Sequence, residues 1–129
     1  MATEMHVLKN WYNGHRLVRY VTPPFESVTI GTQTWTAKNL TIDDGGTGIY
    51  TNIRNYGHGD ITEYYYTWEA AVRIVNNIPG WHLPSMDEFD TLAAAVGGLS
   101  VAGTKLKSTY GWEQPDDGTD DYGFTALPA

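Results

Sequence analysis

The alternation of polar and apolar residues predicts short strands in the first half of the chain. Residues 27–30 and 33–37 alternate in polarity and are joined by Gly31-Thr32, as expected of two half-buried strands in a hairpin. We expect residues 38–40 to continue the second strand. Residues 41–60 are rich in Gly, Asp and Asn, which predicts the longest loop region.

Apolar residues at helical spacing predict two helices in the second half. Thr67 can cap the first helix, and Ser85 and Glu88 form a Ser-x-x-Glu capping box for the second. The apolar face of the first helix would be Trp68, Ala71, Val72 and Val75, and that of the second Met86, Phe89, Leu92, Ala93 and Val96. Gly97-Gly98 ends the second helix. Residues 99–106 predict another strand.

The N-terminal residues have a different character from the rest of the chain. Asn13-Gly14 is a turn dipeptide between two runs that can pair as a hairpin. Pro23 and Pro24 then interrupt the strand pattern, because proline cannot donate a backbone hydrogen bond to a strand ladder. We therefore expect residues 1–27 to form an extended or hairpin segment in front of a domain at 28–129.

Charge and composition narrow the functional classes. The chain has 129 residues, which fits one domain, and a formal charge of -7. That charge repels phosphate groups and disfavours nucleic acid as a partner. The chain has no cysteine, which excludes disulfides, thiolate nucleophiles and zinc-thiolate sites. No segment approaches the roughly 20 apolar residues of a membrane span, so we expect no membrane insertion.

An acidic turn near the C-terminus is the candidate metal site. It places four carboxylates around one glycine, and carboxylate oxygens on a flexible turn are the ligands that calcium prefers. The candidate ligands are Asp116, Asp117, Asp120 and Asp121. The turn lacks the full EF-hand spacing and its distal glutamate. The alternative is a solvated acidic turn without a metal.

The remaining titratable residues do not form a recognisable catalytic motif. The histidines, at positions 6, 15, 58 and 82, lack metal-binding spacing, and none belongs to a recognisable triad. The glutamates, at positions 63, 69, 88 and 113, could serve a glycosidase only if two met across a cleft, which the sequence does not establish. We therefore expect no enzymatic activity and no cofactor other than calcium.

The tryptophans have two interpretations. They can pack at the seam between sheet and helices, or they can stack on sugar rings. We expect buried packing of Trp68 and Trp81, whereas Trp11 and Trp112 should be more open.

Five motifs follow one another in order from Val28 to the C-terminus. They lie at 28–40, 66–71, 80–85, 97–108 and 118–128, and the motif at 80–85 is Gly-Trp-His-Leu-Pro-Ser. Together they resemble the Fibrobacter succinogenes major paralogous domain, which is common in surface and secreted proteins of Bacteroidetes-type bacteria. The resemblance implies an α+β fold of the C-type lectin-like kind, with small antiparallel sheets and two helices. Formylglycine-generating enzymes have a similar fold, but they need cysteines, so their activity is not carried over.

The chain departs from the family pattern at both ends. Family members usually continue beyond the Ala-Leu-Pro of residues 126–128 through further strands, so we expect this domain to be incomplete at its C-terminus. Residues 1–27 fall outside the resemblance and lack a secretory signal. A bacteriophage head or tail fibre, with the N-terminal segment as anchor or assembly segment, would explain both features.

The resemblance favours a displayed, non-catalytic binding module on a virion or cell surface, which recognises a cell-surface glycan or protein. The alternatives are a structural assembly or decoration protein of a virion, and a secreted or surface bacterial protein. We expect a homo-oligomer, with a trimer favoured, or contacts with other virion proteins. The binding surface should lie on the loops after Leu40 and around Trp112. The candidate ligand-binding residues there are Tyr56, His58, Tyr110 and Trp112.

Overall fold

A computed structural model describes residues 18–19 and 25–128. This part of the chain is mixed α+β, with small antiparallel sheets and three helices. The strands are β1 (Val18–Arg19), β2 (Ser27–Ile30), β3 (Gln33–Thr36), β4 (Ile49–Asn55), β5 (Asp60–Tyr66) and β6 (Trp81–His82). The helices are α1 (Trp68–Val75), α2 (Met86–Ala95) and α3 (Leu99–Leu106). The predicted hairpin at Asn13-Gly14 and the interruption at Pro23-Pro24 lie outside the described residues.

The first sheet has the strand order β2-β3-β1-β6. The predicted hairpin of β2 and β3 is confirmed, and Gly31 turns it with a φ of 62°, which favours glycine. Strand β1 pairs with β3 on one side and with β6 on the other, so two residues of the N-terminal segment lie inside the sheet. The second sheet consists of β4 and β5 alone.

Trp35 lies at the centre of the main hydrophobic core. Its side chain is fully buried, with its ring centroid 5.5 Å from that of Phe89 on α2 and 5.9 Å from that of Phe124 near the C-terminus. The indole nitrogen donates a hydrogen bond to the side chain of Gln33. One residue thus joins the first sheet, helix α2 and the C-terminal segment. A second cluster packs α1 against β5 and the buried Trp81, as predicted for that tryptophan.

The capping box at the start of α2 is confirmed. Ser85 Oγ accepts from the Glu88 backbone N–H at 3.2 Å, and the Glu88 carboxylate accepts from the Ser85 N–H at 2.9 Å. The other carboxylate oxygen lies 2.6 Å from Nε2 of His82, so this histidine fastens β6 to the helix entry. Gly97 and Gly98 have φ values of 114° and 104° and end α2 as predicted.

Three secondary-structure predictions are wrong. Residues 99–106 form helix α3, whose buried residues are Ala102, Gly103 and Leu106. Spacings of three and four place these residues on one face of a helix, whereas a strand would put Gly103 on the face opposite Ala102 and Leu106. Residues 49–55 of the predicted loop form β4, since pairing with β5 compensates for their weak strand pattern. Strand β3 ends at Thr36 and does not continue through residues 38–40.

The apolar faces of two helices also differ from the prediction at their first residues, and the expected burial of Trp68 is wrong. Trp68 and Met86 are 50% and 53% exposed, because each begins its helix beyond the edge of the core. The buried face of α1 consists of Ala70, Ala71, Ile74 and Val75.

None of the helices among the described residues has the length and apolar character of a membrane span.

An ion pair ties the loop between β3 and β4 to helix α1. Arg73 donates from Nε and a terminal nitrogen to the two oxygens of Asp44, at 2.7 and 2.9 Å, and also donates to the Thr47 carbonyl. The hydrogen bonds from Arg73 to Asp44 are the largest cause, and one from the Gly46 N–H the second, that lower the pKa of Asp44 to about 2.

We predict that Ser85→Ala lowers the free energy of unfolding by about 1 kcal/mol, because the Glu88 N–H loses its acceptor. Urea denaturation followed by circular dichroism measures this change. Ser100→Ala is the matched control, since Ser100 is exposed on α3 and caps no helix. Equal stability of the two variants would contradict the role of the cap.

We predict that Arg73→Gln raises the pKa of Asp44 toward its ordinary value of 3.8. A carboxyl whose folded pKa is lowered stabilises the fold above its unfolded pKa, and this contribution is lost as the pH falls toward about 2. The variant should therefore lose less stability than the wild type as the pH falls from about 4 to about 2. An NMR titration of the side-chain carboxyl carbon measures the pKa, and Lys105→Gln should leave it unchanged.

Candidate functional site

The ladder between β4 and β5 determines which backbone groups face outward from the hairpin. One step beyond the ladder, the Thr67 N–H donates to the Gly48 carbonyl at 2.9 Å. Because hydrogen-bonded pairs alternate along an antiparallel ladder, Arg54, Asn52 and Tyr50 bond across to β5. The backbone groups of Thr62 and Tyr64 therefore point away from β4, toward the outer edge of β5.

A cleft of about 300 Å³ lies along this outer edge of β5. Its walls are the segment that follows β3 and the C-terminal segment. Its lining residues are Ala37, Lys38, Asn39, Thr41, Ile61, Thr62, Glu63, Tyr64, Tyr110, Thr125 and Leu127. The cleft thus combines apolar side chains with hydroxyl and amide groups and with the edge of a strand, as is common for ligand sites.

The C-terminal segment reaches the cleft because it is fastened at several points. Phe124 is buried in the main core, and the Ala126 N–H donates to the Leu106 carbonyl at 2.9 Å. The Pro128 carbonyl then accepts from the Tyr56 hydroxyl at 3.2 Å and from Arg54 at 3.4 Å. The core and the β4–β5 hairpin thereby hold Leu127 in the cleft wall.

Glu63 is the buried acidic group of the site, with 9% of its surface exposed. One carboxylate oxygen accepts from the Tyr56 hydroxyl, and the other accepts from the Tyr65 hydroxyl at 2.9 Å. Nε of Arg54 lies 3.6 Å from the first oxygen. Burial, and then the hydrogen bond to Glu63, raise the pKa of Tyr56 well above its ordinary value. These hydrogen bonds fix the position of Tyr56.

Three of the predicted ligand-binding residues meet around Tyr110, which lines the cleft, and we call Tyr56, His58 and Tyr110 the aromatic cluster. The ring centroids of His58 and Tyr110 are 4.0 Å apart, and those of Tyr56 and Tyr110 are 6.4 Å apart. Tyr56 also passes so close to Gly111 that a Cβ atom there would lie 2.7 Å from its ring. Glycine at this position therefore permits the cluster to form.

Trp112, the fourth predicted ligand-binding residue, is half-buried and packs against the main core, so it is more open than Trp81, as expected, but less exposed than Trp68. Its indole nitrogen donates to Ser108 Oγ at 3.2 Å and to the Ala126 carbonyl at 3.0 Å. The ring packs against the main core, and Nζ of Lys107 lies 5.0 Å from its centroid. Trp112 thus supports the C-terminal segment and the neighbouring Tyr110.

The acidic turn is organised by hydrogen bonds to two of its carboxylates. Asp117 accepts from the Trp112 N–H at 3.0 Å, and Asp120 accepts from the Thr125 N–H at 2.7 Å and from the Thr125 hydroxyl at 2.6 Å. Asp116 and Asp121 are exposed. Among the described residues, no three acidic or histidine side chains converge to hold a metal ion. Calcium binding stays a prediction.

Sequence reasoning missed Glu63 and Arg54 as members of the site. Glu63 was considered only as half of a glycosidase pair, and Arg54 fell in the predicted loop. The available signal was an acidic residue before three consecutive tyrosines in a strand-prone run at 62–66. A carboxylate in such a run indicates a buried, hydrogen-bonded charge.

A family model described as the Fibrobacter succinogenes major domain matches residues 28–129. This match confirms the resemblance that the five sequence motifs indicate, including its beginning at Val28. The comparisons with curated proteins and with solved structures gave no significant match. The C-type lectin-like character of the fold therefore stays a prediction.

We predict that Tyr56→Phe lowers the free energy of unfolding at pH 8 by about 1–2 kcal/mol, because a hydrogen bond to a buried carboxylate is lost. A tyrosine with a raised folded pKa stabilises the protein below its unfolded pKa, and this contribution is lost as the pH rises above about 10. The variant should therefore lose stability less steeply than the wild type between about pH 9.5 and pH 11.5, the range in which an unfolded tyrosine ionises. Urea denaturation across this range measures both effects, and parallel curves would contradict the prediction.

Proposed function

We propose that this chain, which belongs to the Fibrobacter succinogenes major domain family, is a non-catalytic binding module. Its ligand site is the cleft beside β5 together with the aromatic cluster. The ligand is a cell-surface glycan, whose sugar rings pack on the aromatic side chains.

The observation that carries this proposal is the position of Tyr110. Its side chain lines the cleft and also lies against His58, so the cleft and the aromatic cluster form one continuous surface. A sugar ring has apolar C–H faces that pack on aromatic rings, and hydroxyl groups that need donors and acceptors. Thr62, Thr125 and Asn39 place such polar groups along the same cleft.

The chemistry of the cleft supports binding without catalysis. Glycoside hydrolysis requires two carboxyl groups at roughly 5 to 10 Å across the scissile bond. Among the described residues that line the cleft, Glu63 is the one acidic residue. Its two oxygens already accept hydrogen bonds from Tyr56 and Tyr65.

The place of display is part of the proposal and rests on the sequence. A bacteriophage head or tail fibre would carry this module outward and recognise a bacterial surface. The proposed anchor, residues 1–27, lies mostly outside the described residues. A bacterial surface or secreted protein is the alternative setting for the same site.

Assembly within a virion is a second candidate function, and one observation favours it. The β4–β5 hairpin is a separate two-stranded sheet whose β4 edge pairs with no other described strand. Edges of this kind are templates for contact between protein chains. This edge lies on the opposite side of the hairpin from the cleft, so the two functions are compatible.

We predict that Tyr110→Ala weakens glycan binding about tenfold, which equals about 1.4 kcal/mol and lies near the upper limit for one aromatic contact. Bacterial surface polysaccharides on an array identify the ligand, and calorimetry then measures the affinity. Tyr122→Ala is the matched control, since Tyr122 is exposed outside the aromatic cluster. If the wild type binds no polysaccharide, or both variants bind equally, the proposal is wrong.

A further inference from the structure

The outer edge of β4 is exposed along most of its length. Tyr50 and Ile53 are 63% and 66% exposed, which is unusual for large apolar side chains in a strand. Hydrogen-bonded pairs alternate along the β4–β5 ladder, so the N–H and C=O groups of Thr51 and Ile53 point away from β5. Within residues 25–128, no strand or turn supplies backbone hydrogen bonds to this edge.

This edge has few of the features that normally prevent pairing between chains. Natural edge strands carry charged side chains, above all lysine, or a proline or a bulge, or they are very short. Strand β4 is seven residues long, has no Pro, Gly, Lys or acidic residue, and pairs with β5 in an uninterrupted register. Its one charged residue, Arg54, is half-buried and lies beside Glu63. A two-stranded sheet alone is also marginally stable, so an added strand would stabilise it.

We propose that the β4 edge binds the β4 edge of a second copy of this chain. The two strands run antiparallel across a two-fold axis that passes midway between the two Asn52 residues. The two hairpins then form one four-stranded sheet with the order β5-β4-β4-β5. This interface lies apart from the cleft, so it does not depend on the proposed glycan site.

The register follows from the directions of the backbone groups. With Asn52 on the axis, Thr51 of each copy faces Ile53 of the other, and all seven residues of the strand take part. Thr51 and Ile53 are residues whose N–H and C=O groups point outward, so they form the hydrogen-bonded pairs. Asn52 then lies opposite Asn52 of the other copy. The two form a non-hydrogen-bonded pair, the kind in which side chains approach most closely.

The charges of the strand are compatible with self-pairing. Arg54 is the one ionised side chain on β4, and in this register it faces Tyr50 of the other copy. An arginine beside a tyrosine ring is favourable, and no two like charges oppose each other. Each copy carries a formal charge of -7, so the two copies repel at long range. Dimerisation should therefore strengthen as salt increases from about 0.01 to 0.15 M.

A second copy can pair with the β4 edge more readily than with the β5 edge. The β5 edge lies in the cleft, with residues 37–41 on one side and Tyr110 and Leu127 on the other. A β5 strand of another copy carries the same walls and cannot enter. The β4 edge has no such walls, because residues 50–53 are all exposed.

The first experiment compares two proline variants of the full chain by size-exclusion chromatography with light scattering. Thr51→Pro removes an outward N–H from β4 without breaking the β4–β5 ladder, and Thr62→Pro does the same on β5. We expect a dimer for the wild type and for Thr62→Pro, and a monomer for Thr51→Pro. Circular dichroism verifies that each variant is folded. A wild type that is monomeric at about 100 µM would overturn the proposal, because the dissociation constant of the dimer would then lie roughly in the millimolar range or above.

The second experiment avoids changes to the backbone and uses the absence of cysteine from the chain. Asn52→Cys introduces one thiol on the two-fold axis, where non-hydrogen-bonded strand pairs have the Cα separation of about 4.5 Å that a disulfide accepts. Tyr50→Cys is the control, since its two copies would be about 14 Å apart at 3.4 Å per residue. We expect oxidation to link only the Asn52→Cys chains. Equal linking of both variants, or of neither, would show that this register is wrong.

Discussion

The burial of Trp35 is the contact on which the rest of the structure depends. Its strand lies between β2 and β1 in the first sheet, and its ring packs against Phe89 and Phe124. Phe89 comes from helix α2, and Phe124 comes from the segment after the acidic turn. Elements that are far apart in sequence therefore share one apolar centre, and removal of that centre would release both the helix and the C-terminal segment.

The candidate site is a consequence of this packing. Once Phe124 is held in the core, Ala126 bonds to the end of α3, and the Pro128 carbonyl reaches the Tyr56 hydroxyl and Arg54. Glu63 completes the connection by accepting from Tyr56. The cleft thus lies between two parts of the chain that are tied together by hydrogen bonds, and its aromatic cluster is positioned by the same contacts.

The β4–β5 hairpin provides two surfaces with different properties. The edge of β5 lies within walls and offers a concave surface, whereas the edge of β4 is open and offers a strand for pairing. One hairpin can therefore carry a ligand site and an interface between copies without competition between them. The tyrosines on the hairpin contribute to both surfaces, since Tyr64 lines the cleft and Tyr50 is exposed beside the free edge.

The sequence by itself determined the features that depend on neighbouring residues. The β2–β3 hairpin, the Thr67 cap and the Ser85 capping box were predicted because their signals lie within a few residues of one another. The family was also predicted, since its motifs occur in a fixed order. Tyr56, His58 and Tyr110 were named one by one, but nothing in the sequence indicated that their rings would meet.

The tertiary structure decided what depends on distant contacts. Residues 99–106 are helical because Ala102, Gly103 and Leu106 face the core together, and residues 49–55 form a strand because β5 pairs with them. Trp112 is directed inward because its indole nitrogen bonds to Ala126, which is 14 residues away. Local propensity is weak compared with burial and pairing, so the sequence alone could not predict these outcomes.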